Sequence, residues 1–450
     1  MSGNDARSHR TTHPAVPPVP HRPTGEVRRR ALLGGTAGGA LLAGSTLGRD
    51  RAAARPRHHD TPAAEPSQSP AAARRQRFAF VTDVHINDLE PERVTHFRRV
   101  TSAILADDPE LVISGGDMTD WGRDTECEAY WSAVPDALRS RMHHVPGNHE
   151  LKYDWSDYAN YERWFGERNV AVDVGGLHFL FVDTSVCQLD PAYLRRDTMA
   201  WLRDTLEAAG SEPSIIVTHH PPMGDQFYFL PNQDELHRVI EPYPVRGILC
   251  GHTHAQRVLR TNGLTLLVGR TAKKHAGFYR LERTTDDTDD RIEISYVEAP
   301  GPGTDGPGPA TPVTTIDLTA PHGPGGDLAP TRTRVRCSTD GTLAVRARHP
   351  REAPVADVAA TVYNPDVFRG NAPDTWTPLT GSDDGALHTG QLTLDGHAPG
   401  NHRVIIRSRD AAGDQWREIV DVQTPAKAFD TLWEHRMPES VQGSLAQHDG

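Results

Sequence analysis

Five apolar runs in this chain each end in side chains able to hold a metal ion or move a proton. Phe78-Ala79-Phe80-Val81-Thr82 runs into Asp83-Val84-His85, and Leu111-Val112-Ile113 into Gly116-Asp117. His144-Val145-Pro146 leads into Gly147-Asn148-His149-Glu150, and Ser214-Ile215-Ile216-Val217-Thr218 into His219-His220-Pro221-Pro222. Ile248-Leu249-Cys250 ends in Gly251-His252-Thr253-His254. Imidazole is the commonest metal ligand, yet one H-x-H says little in a chain with 24 histidines, and an isolated Gly-Asp is a turn. Five such ends together point to a single site, because open α/β sheets build their sites beyond the carboxyl ends of their strands. Mixed nitrogen and oxygen donors suit Zn, Mn or Fe, whereas an all-oxygen cage would suit Ca or Mg.

The elements between these ends have the rhythm of βαβ units. Residues 78–82 read as the first strand, and Asp83 and His85, two apart, can point to one side of its mouth. Helix-spaced apolar positions follow over 91–106, stopped by Asp107-Asp108-Pro109. Strand 111–114 delivers Asp117, a helix over 126–140 leads to the strand before Gly147, and the aromatic-rich stretch 151–169 reads as a helix and loop on the core. Strands at 177–182 and 214–218 flank a helix at 197–209. Strands 256–260 and 264–268 enclose Thr261-Asn262-Gly263, where Asn-Gly marks a hairpin, and 278–281 and 292–297 close the sheet. The expectation is a buried, mainly parallel sheet covered by helices. Residues 225–229, apolar and broken by Pro231, read as a loop near the site.

Taken in order, Asp83-x-His85, Gly116-Asp117, Gly147-Asn148-His149-Glu150, His219 and Gly251-His252-Thr253-His254 resemble the calcineurin-like metallophosphoesterases, over residues 78 to about 299. The resemblance implies the α/β sandwich of that family and a pair of metal ions. Asp83, His85 and His254 would hold the first ion, Asn148, His219 and His252 the second, and Asp117 would bridge them. Two ions about 3.5–4 Å apart can clamp phosphate oxygens and acidify a water into an in-line nucleophile. Two divalent charges less two aspartates leave a positive centre for phosphate. His149, not needed as a ligand, is the expected general acid, with Glu150 or Asp120 to orient it. Asn148, His220, Tyr153 and Lys273 are the expected substrate contacts, with Trp155 as a further wall and Arg270, Lys274 and His275 beside Lys273. Purple acid phosphatases carry a tyrosine three residues after the bridging aspartate, where this chain has Asp120. The Gly-Asp-x-x-Asp and Thr-His-His-Pro-Pro forms look more like the branch with cyclic-nucleotide and glycerophosphodiester phosphodiesterases. Substrate choice lies in loops that such motifs do not encode.

The chain of 450 residues is long enough for two or three units. Its formal charge of −12 conceals an asymmetry, since residues 1–77 hold thirteen arginines against five acids and the remainder is strongly acidic. An acidic body does not suit nonspecific nucleic-acid binding, so no nucleic-acid surface is expected. The four cysteines share no C-x-x-C spacing; export would leave room for one bridge, and buried free thiols are the expectation. Arg28-Arg29-Arg30-Ala31-Leu32-Leu33, a Gly- and Ala-rich middle and Ala52-Ala53-Ala54 resemble a twin-arginine export signal over residues 1–54. Residues 55–77 read as a disordered spacer, and nothing reaches transmembrane length.

Beyond the catalytic domain at 78–299, the Pro- and Gly-dense stretch 300–330 reads as a linker, with room for part of it to lie extended against a domain. Short alternating strands at 333–337, 343–347, 355–362, 376–379, 387–394, 402–409 and 417–422 predict an immunoglobulin- or fibronectin-like sandwich over 331–425. Residues 426–450 form a polar tail. The sandwich shows no chemistry, and its partner is left open. The reading is an exported phosphoesterase with diesters slightly favoured. Its rival is a noncatalytic cell-envelope protein that binds a partner through the sandwich.

Overall fold

Phe78-Ala79-Phe80-Val81 is apolar on both faces, so the strand it forms has to be buried from both sides. That requirement sets the layering of the region up to residue 299. The computed structural model describes residues 74–222, 230, 232–286, 289–301, 306–319, 328–338, 340–363, 375–394 and 401–423, all within the unit Gln68–Gly450. The arginine-rich start, the site-proximal loop at 225–229 and the tail at 426–450 lie outside the described residues.

In chain order come β1 (Arg74–Val81), α1 (Pro91–Asp107), β2 (Leu111–Ser114), α2 (Asp124–Ser132), α3 (Asp136–Arg139), β3 (Met142–His144), α4 (Asn148–Leu151) and α5 (Ala159–Phe165). Then follow β4 (Val170–Asp173), β5 (His178–Phe181), α6 (Arg196–Ala209), β6 (Ser214–Val217), α7 (Gln233–Ile240), β7 (Val245–Cys250), β8 (Arg257–Thr261), β9 (Leu264–Val268), β10 (Gly277–Thr285), β11 (Asp290–Glu298) and β12 (Ala310–Asp317). One sheet has the order β12-β11-β10-β1-β2-β3, and the second contains β8-β9-β7-β6-β5-β4. β1, β2 and β3 run parallel, as do β5, β6, β7 and β9.

The period of two in β1 divides its side chains between two cores. Ala79 and Val81 face Phe97, Val100 and Ile104 of α1, while Phe78 and Phe80 meet Phe179, Phe181, Ile215 and Val217 of the second sheet. A third core packs Leu202 and Leu206 of α6 and Leu236 of α7 against the outer face of β5, β6 and β7. The result is a four-layer sandwich, helices outside two facing sheets. Truncating Phe80 to Ala at this seam would cost about 3–5 kcal/mol.

Several local expectations change. The single helix expected over 126–140 is two, α2 and α3, because Pro135 lacks an N–H and pushes Val134 out of the helical region. β4, a half-exposed edge strand, went unpredicted. The 55–77 spacer already contains the start of β1, and the 300–330 linker contains β12, which pairs antiparallel with β11. The expected hairpin is present, with Asn262 and Gly263 both at positive φ as a primed turn requires.

Beyond residue 330 the described elements are all strands: β13 (Arg332–Cys337), β14 (Thr342–Arg348), β15 (Asp357–Tyr363), β16 (Thr377–Pro378), β17 (Thr380–Gly381), β18 (Leu387–Thr393), β19 (Asn401–Arg409) and β20 (Gln415–Gln423). β13-β14-β18-β17 form one sheet, and Leu343, Val345 and Leu392 pack against Val358, Val404 and Ile406 of the other. That other sheet, β16-β15-β19-β20, is continuous with the catalytic one through the pairing of Gln415 with Thr261. Asn262 strengthens the joint by donating to the Arg417 carbonyl at 2.9 Å. Ion pairs Arg403–Glu235 (3.2 Å) and Arg238–Asp421 (2.9 Å) tie α7 to the same hairpin. Among the described residues the cysteines are free, Cys127 and Cys250 being buried, and no helix is long and apolar enough to cross a membrane.

Candidate metal centre

The five strand ends converge. Asp83, His85, Asp117, His252 and His254 all adopt positive φ, between 51° and 70°. Such backbone is uncommon outside glycine and persists where the surroundings dictate it. Two glycines permit the close approach: a Cβ on Gly147 would lie 2.1 Å from Asp117 Oδ1, and one on Gly251 would lie 2.3 Å from Asp83 Oδ2. Asp83 is further held by Thr82 Oγ1 at 2.8 Å and the backbone N–H of His252 at 3.0 Å.

Around Asp83, the Nε2 atoms of His85 and His254 lie 3.0 Å apart, with His254 Nε2 3.3 Å and His85 Nε2 3.9 Å from Asp83 Oδ1. Around Asn148, its Oδ1 is 3.1 Å from both His219 Nε2 and His252 Nδ1, which are 3.3 Å from each other. Asp117 Oδ2 belongs to both groups, 3.5 Å from His85 Nε2 and 3.2 Å from His219 Nε2.

The proton positions make this a ligand set. His85 Nδ1 donates to Asp120 Oδ1 at 2.9 Å, and His219 Nδ1 to the Gly115 carbonyl at 2.8 Å. With their protons so placed, both rings turn an Nε2 lone pair toward the centre. Imidazole lone pairs, an amide oxygen and two carboxylates crowded at 3–4 Å repel one another unless cations lie among them. The residues therefore fit a pair of divalent ions.

Without cations, protons take that role. Burial pushes the Asp117 carboxyl up, but facing His219, His85 and His149 outweigh it and hold it well below the usual carboxylate range. Burial also raises Asp83, offset by the His254 hydrogen bond and the His219 charge, so it too ends lowered. His219 is disfavoured as a cation by burial, yet Asp117 pushes it up to about 9. Burial and the neighbouring His219 charge lower His252 to about 4.

His149 stands beside the centre. Its Nδ1 donates to the Asp120 carbonyl at 2.7 Å and its ring packs edge-on to His85 at 4.6 Å. Asp120 is thus the orienting residue anticipated for His149, through its backbone; its carboxylate serves His85 instead. Asn87 donates to that carboxylate at 3.0 Å, Arg93 also donates to it, and Lys273 Nζ lies 3.6 Å away. Desolvation raises Asp120, but His85, Asn87 and Lys273 more than offset it and leave it well below its ordinary value. Glu150 does not touch His149. Buried, it accepts from the backbone N–H groups of Asp117 (3.0 Å), Thr119 (2.8 Å) and Gly147 (2.9 Å), clipping two ligand loops together. Burial and the Asp117 charge push it up to about 7.

The expected substrate contacts divide. Asn148 lies within the centre, and its amide also donates to Asp190 at 3.3 Å. Lys273 is half-buried against Asp120. Tyr153 is at the rim, its ring 4.7 Å from that of Trp121. His220 is fully buried, its Nδ1 2.9 Å from Thr184 Oγ1 and its ring 4.5 Å from His252. Full burial takes it away from the expected substrate-contacting role, and its ring nitrogens bring it into one group with His219 and His252, ligand atoms within 4.8 Å of one another. The loop after β9 crosses the Asp83 backbone, with Thr271 Oγ1 donating to the Asp83 carbonyl at 2.7 Å, and Arg270 lies over the Tyr296 ring. Arg93, Asn87, Thr184 and Trp121 carried no motif signal, since each acts through a residue far away in sequence.

Residues 76–256 match the family described as calcineurin-like phosphoesterase. A 3',5'-cyclic-nucleotide phosphodiesterase of Nostoc sp. is 26% identical over 40% of this chain and 71% of its own. The glycerophosphodiester phosphodiesterase GpdQ of Enterobacter lignolyticus is 31% identical over 33% of this chain and 58% of its own, so this chain spans less than two thirds of that relative. The solved purple acid phosphatase of yellow lupin aligns with 55% of this chain and 55% of its own at 13% identity and a TM-score of 0.39. The matched residues 76–256 span every strand end that builds the centre, from Asp83 to His254, and include the His and Asp groups able to hold metal ions.

Proposed function

We propose that this protein is an exported phosphodiesterase in which Asp83, His85 and His254 hold one divalent ion, Asn148, His219 and His252 hold a second, and Asp117 bridges them. The observation that carries this reading is the position of Asp117 Oδ2 between His85 Nε2 and His219 Nε2. Bound ions of the Zn, Mn or Fe type would supply Lewis acidity to the phosphoryl oxygens and to the attacking water. The protein's own share is orientation and proton transfer. His85 and His219 are locked with Nε2 inward, and Asn148 presents its oxygen to the centre. His149, with Nδ1–H committed to the Asp120 carbonyl, keeps Nε2 for the leaving oxygen.

The preference for diesters is supported by relatives named as cyclic-nucleotide and glycerophosphodiester phosphodiesterases. Export is supported by Arg28-Arg29-Arg30-Ala31-Leu32-Leu33 and the small residues Ala52-Ala53-Ala54. An immunoglobulin-like reading of the carboxyl-terminal strands is supported by two sheets closing on one apolar core. In the test, full-length protein loaded with Mn turns over bis-p-nitrophenyl phosphate faster than p-nitrophenyl phosphate, and Asp117→Ala abolishes turnover. Undiminished activity in that variant would sink the assignment.

A further inference from the structure

We propose that the mouth of the metal centre is an apolar collar that seats on a zwitterionic lipid surface, so that the ester is drawn from an amphiphile. The inference rests on the phosphoesterase reading and adds a substrate class to it. Among the described residues, the large hydrophobic side chains left exposed are Leu89, Trp121, Tyr153, Trp155, Leu189 and Tyr193. All six lie on the loops that follow β1, β2, β3 and β5, at the strand ends that build the centre.

The contacts between these loops place them around one opening. The Leu89 N–H donates to Asn87 Oδ1, and Asn87 donates to Asp120. Trp121 follows Asp120, and its ring lies against Tyr153, four residues beyond His149. Leu189 precedes Asp190, which accepts from Asn148, and the Tyr193 N–H donates to the carbonyl of Thr184, the residue behind His220. Leu89 is 76% and Trp155 84% exposed. Single exposed apolar residues are ordinary, but a group rimming one site marks an interaction surface. Trp and Tyr, apolar rings with a polar edge, are the side chains that settle at the boundary between water and lipid.

Charge selects the kind of surface. Among the described residues, three rim cations are paired with carboxylates, Arg123 with Asp88 at 3.2 Å, Lys152 with Asp190 at 2.7 Å and Lys273 with Asp120 at 3.6 Å, while Lys274 is exposed. Among the described residues the collar thus offers one exposed lysine and not the cluster of Lys and Arg that draws proteins to anionic bilayers, and the strongly acidic chain beyond residue 77 would be repelled by such a bilayer. A headgroup with no net charge fits, its phosphodiester being the one group the centre would take.

The test is flotation of the full-length protein with phosphatidylcholine vesicles, beside a variant carrying Leu89→Ser and Trp155→Ala. Both sites are largely exposed, so the melting temperature of the variant should match the parent. The parent should float with the vesicles, and the variant should bind about tenfold or more weakly. Absence of parent binding, equal binding by the variant, or binding only to phosphatidylserine vesicles that salt abolishes would each overturn the proposal. Hydrolysis of bis-p-nitrophenyl phosphate without vesicles is measured alongside. Turnover there without vesicle binding removes the collar proposal and leaves the phosphoesterase reading standing, whereas vesicle binding without turnover of any ester removes the latter.

Discussion

The Nδ1 of His149 lies 2.7 Å from the carbonyl oxygen of Asp120, a bond that leaves one imidazole tautomer and turns Nε2 away from the backbone. With a second proton on Nε2 the ring is an imidazolium aimed to give that proton to a departing oxygen, which returns it to the Nδ1–H tautomer. His149→Asn should lower kcat by about 10²–10⁴-fold for alkyl diesters, which need the proton, and far less for p-nitrophenyl esters, which do not. Metal content measured on the purified variant should not change. An equal loss for both leaving groups would remove His149 from this role.

The carboxylate of Asp120 takes the other Nδ1–H, that of His85. A carboxylate behind a ligating imidazole fixes its tautomer and raises its basicity. Asp120→Asn should therefore weaken metal binding by about 10–100-fold, read by competition with a chelator, while the fold persists. Unaltered affinity would show that Arg93 and Asn87, and not His85, are the partners that matter to this side chain.

The proton on His219 gives a pH dependence with a definite sign. In metal-free protein Asp117 holds that imidazole up to about 9, so at neutral pH it is charged. A metal ligand must be neutral, and loading must expel the proton. Affinity should then fall by about tenfold for each pH unit below 9 from this group alone. Calorimetry near neutral pH should show proton release as a binding enthalpy that depends on the buffer. A buffer-independent enthalpy would contradict it.

Glu150 accepts three backbone N–H groups from two separate loops. Glu150→Gln places an NH2 where one of those donors points, leaving a buried N–H without an acceptor. Unfolding in urea should show a loss of about 1–3 kcal/mol. Metal binding should weaken in parallel, because the loops so joined carry Asp117 and Asn148.

The ligand-bearing strand ends were legible in the sequence because each is a local pattern, an apolar run and then a polar terminus a few residues long. The architecture above that level was not. Nothing in Phe78 and Phe80 says that they face a second sheet while Ala79 and Val81 face helices, and βαβ rhythm alone suggested one sheet where there are two. β12 hid in a stretch rich in Pro and Gly, whose composition reads as linker although edge strands tolerate both. His220 shows the limit of motif reading within the site itself. His219 Nδ1 goes to the Gly115 carbonyl while His220 Nδ1 goes to Thr184, and adjacency in sequence does not reveal which way either ring points.

The pairing of Gln415 with Thr261 gives the carboxyl-terminal strands a task that needs no chemistry of their own. β8 starts three residues after His254 and would otherwise be the open margin of its sheet. A fragment cut off after residue 299 would lose that single joint and also β12, leaving β11 as a bare edge of unmet amide and carbonyl groups open to its own copies. The hairpin leading away from His252 and His254 would meanwhile lose its hold on Arg417, so the strands past residue 330 act on the centre as a buttress set at its back.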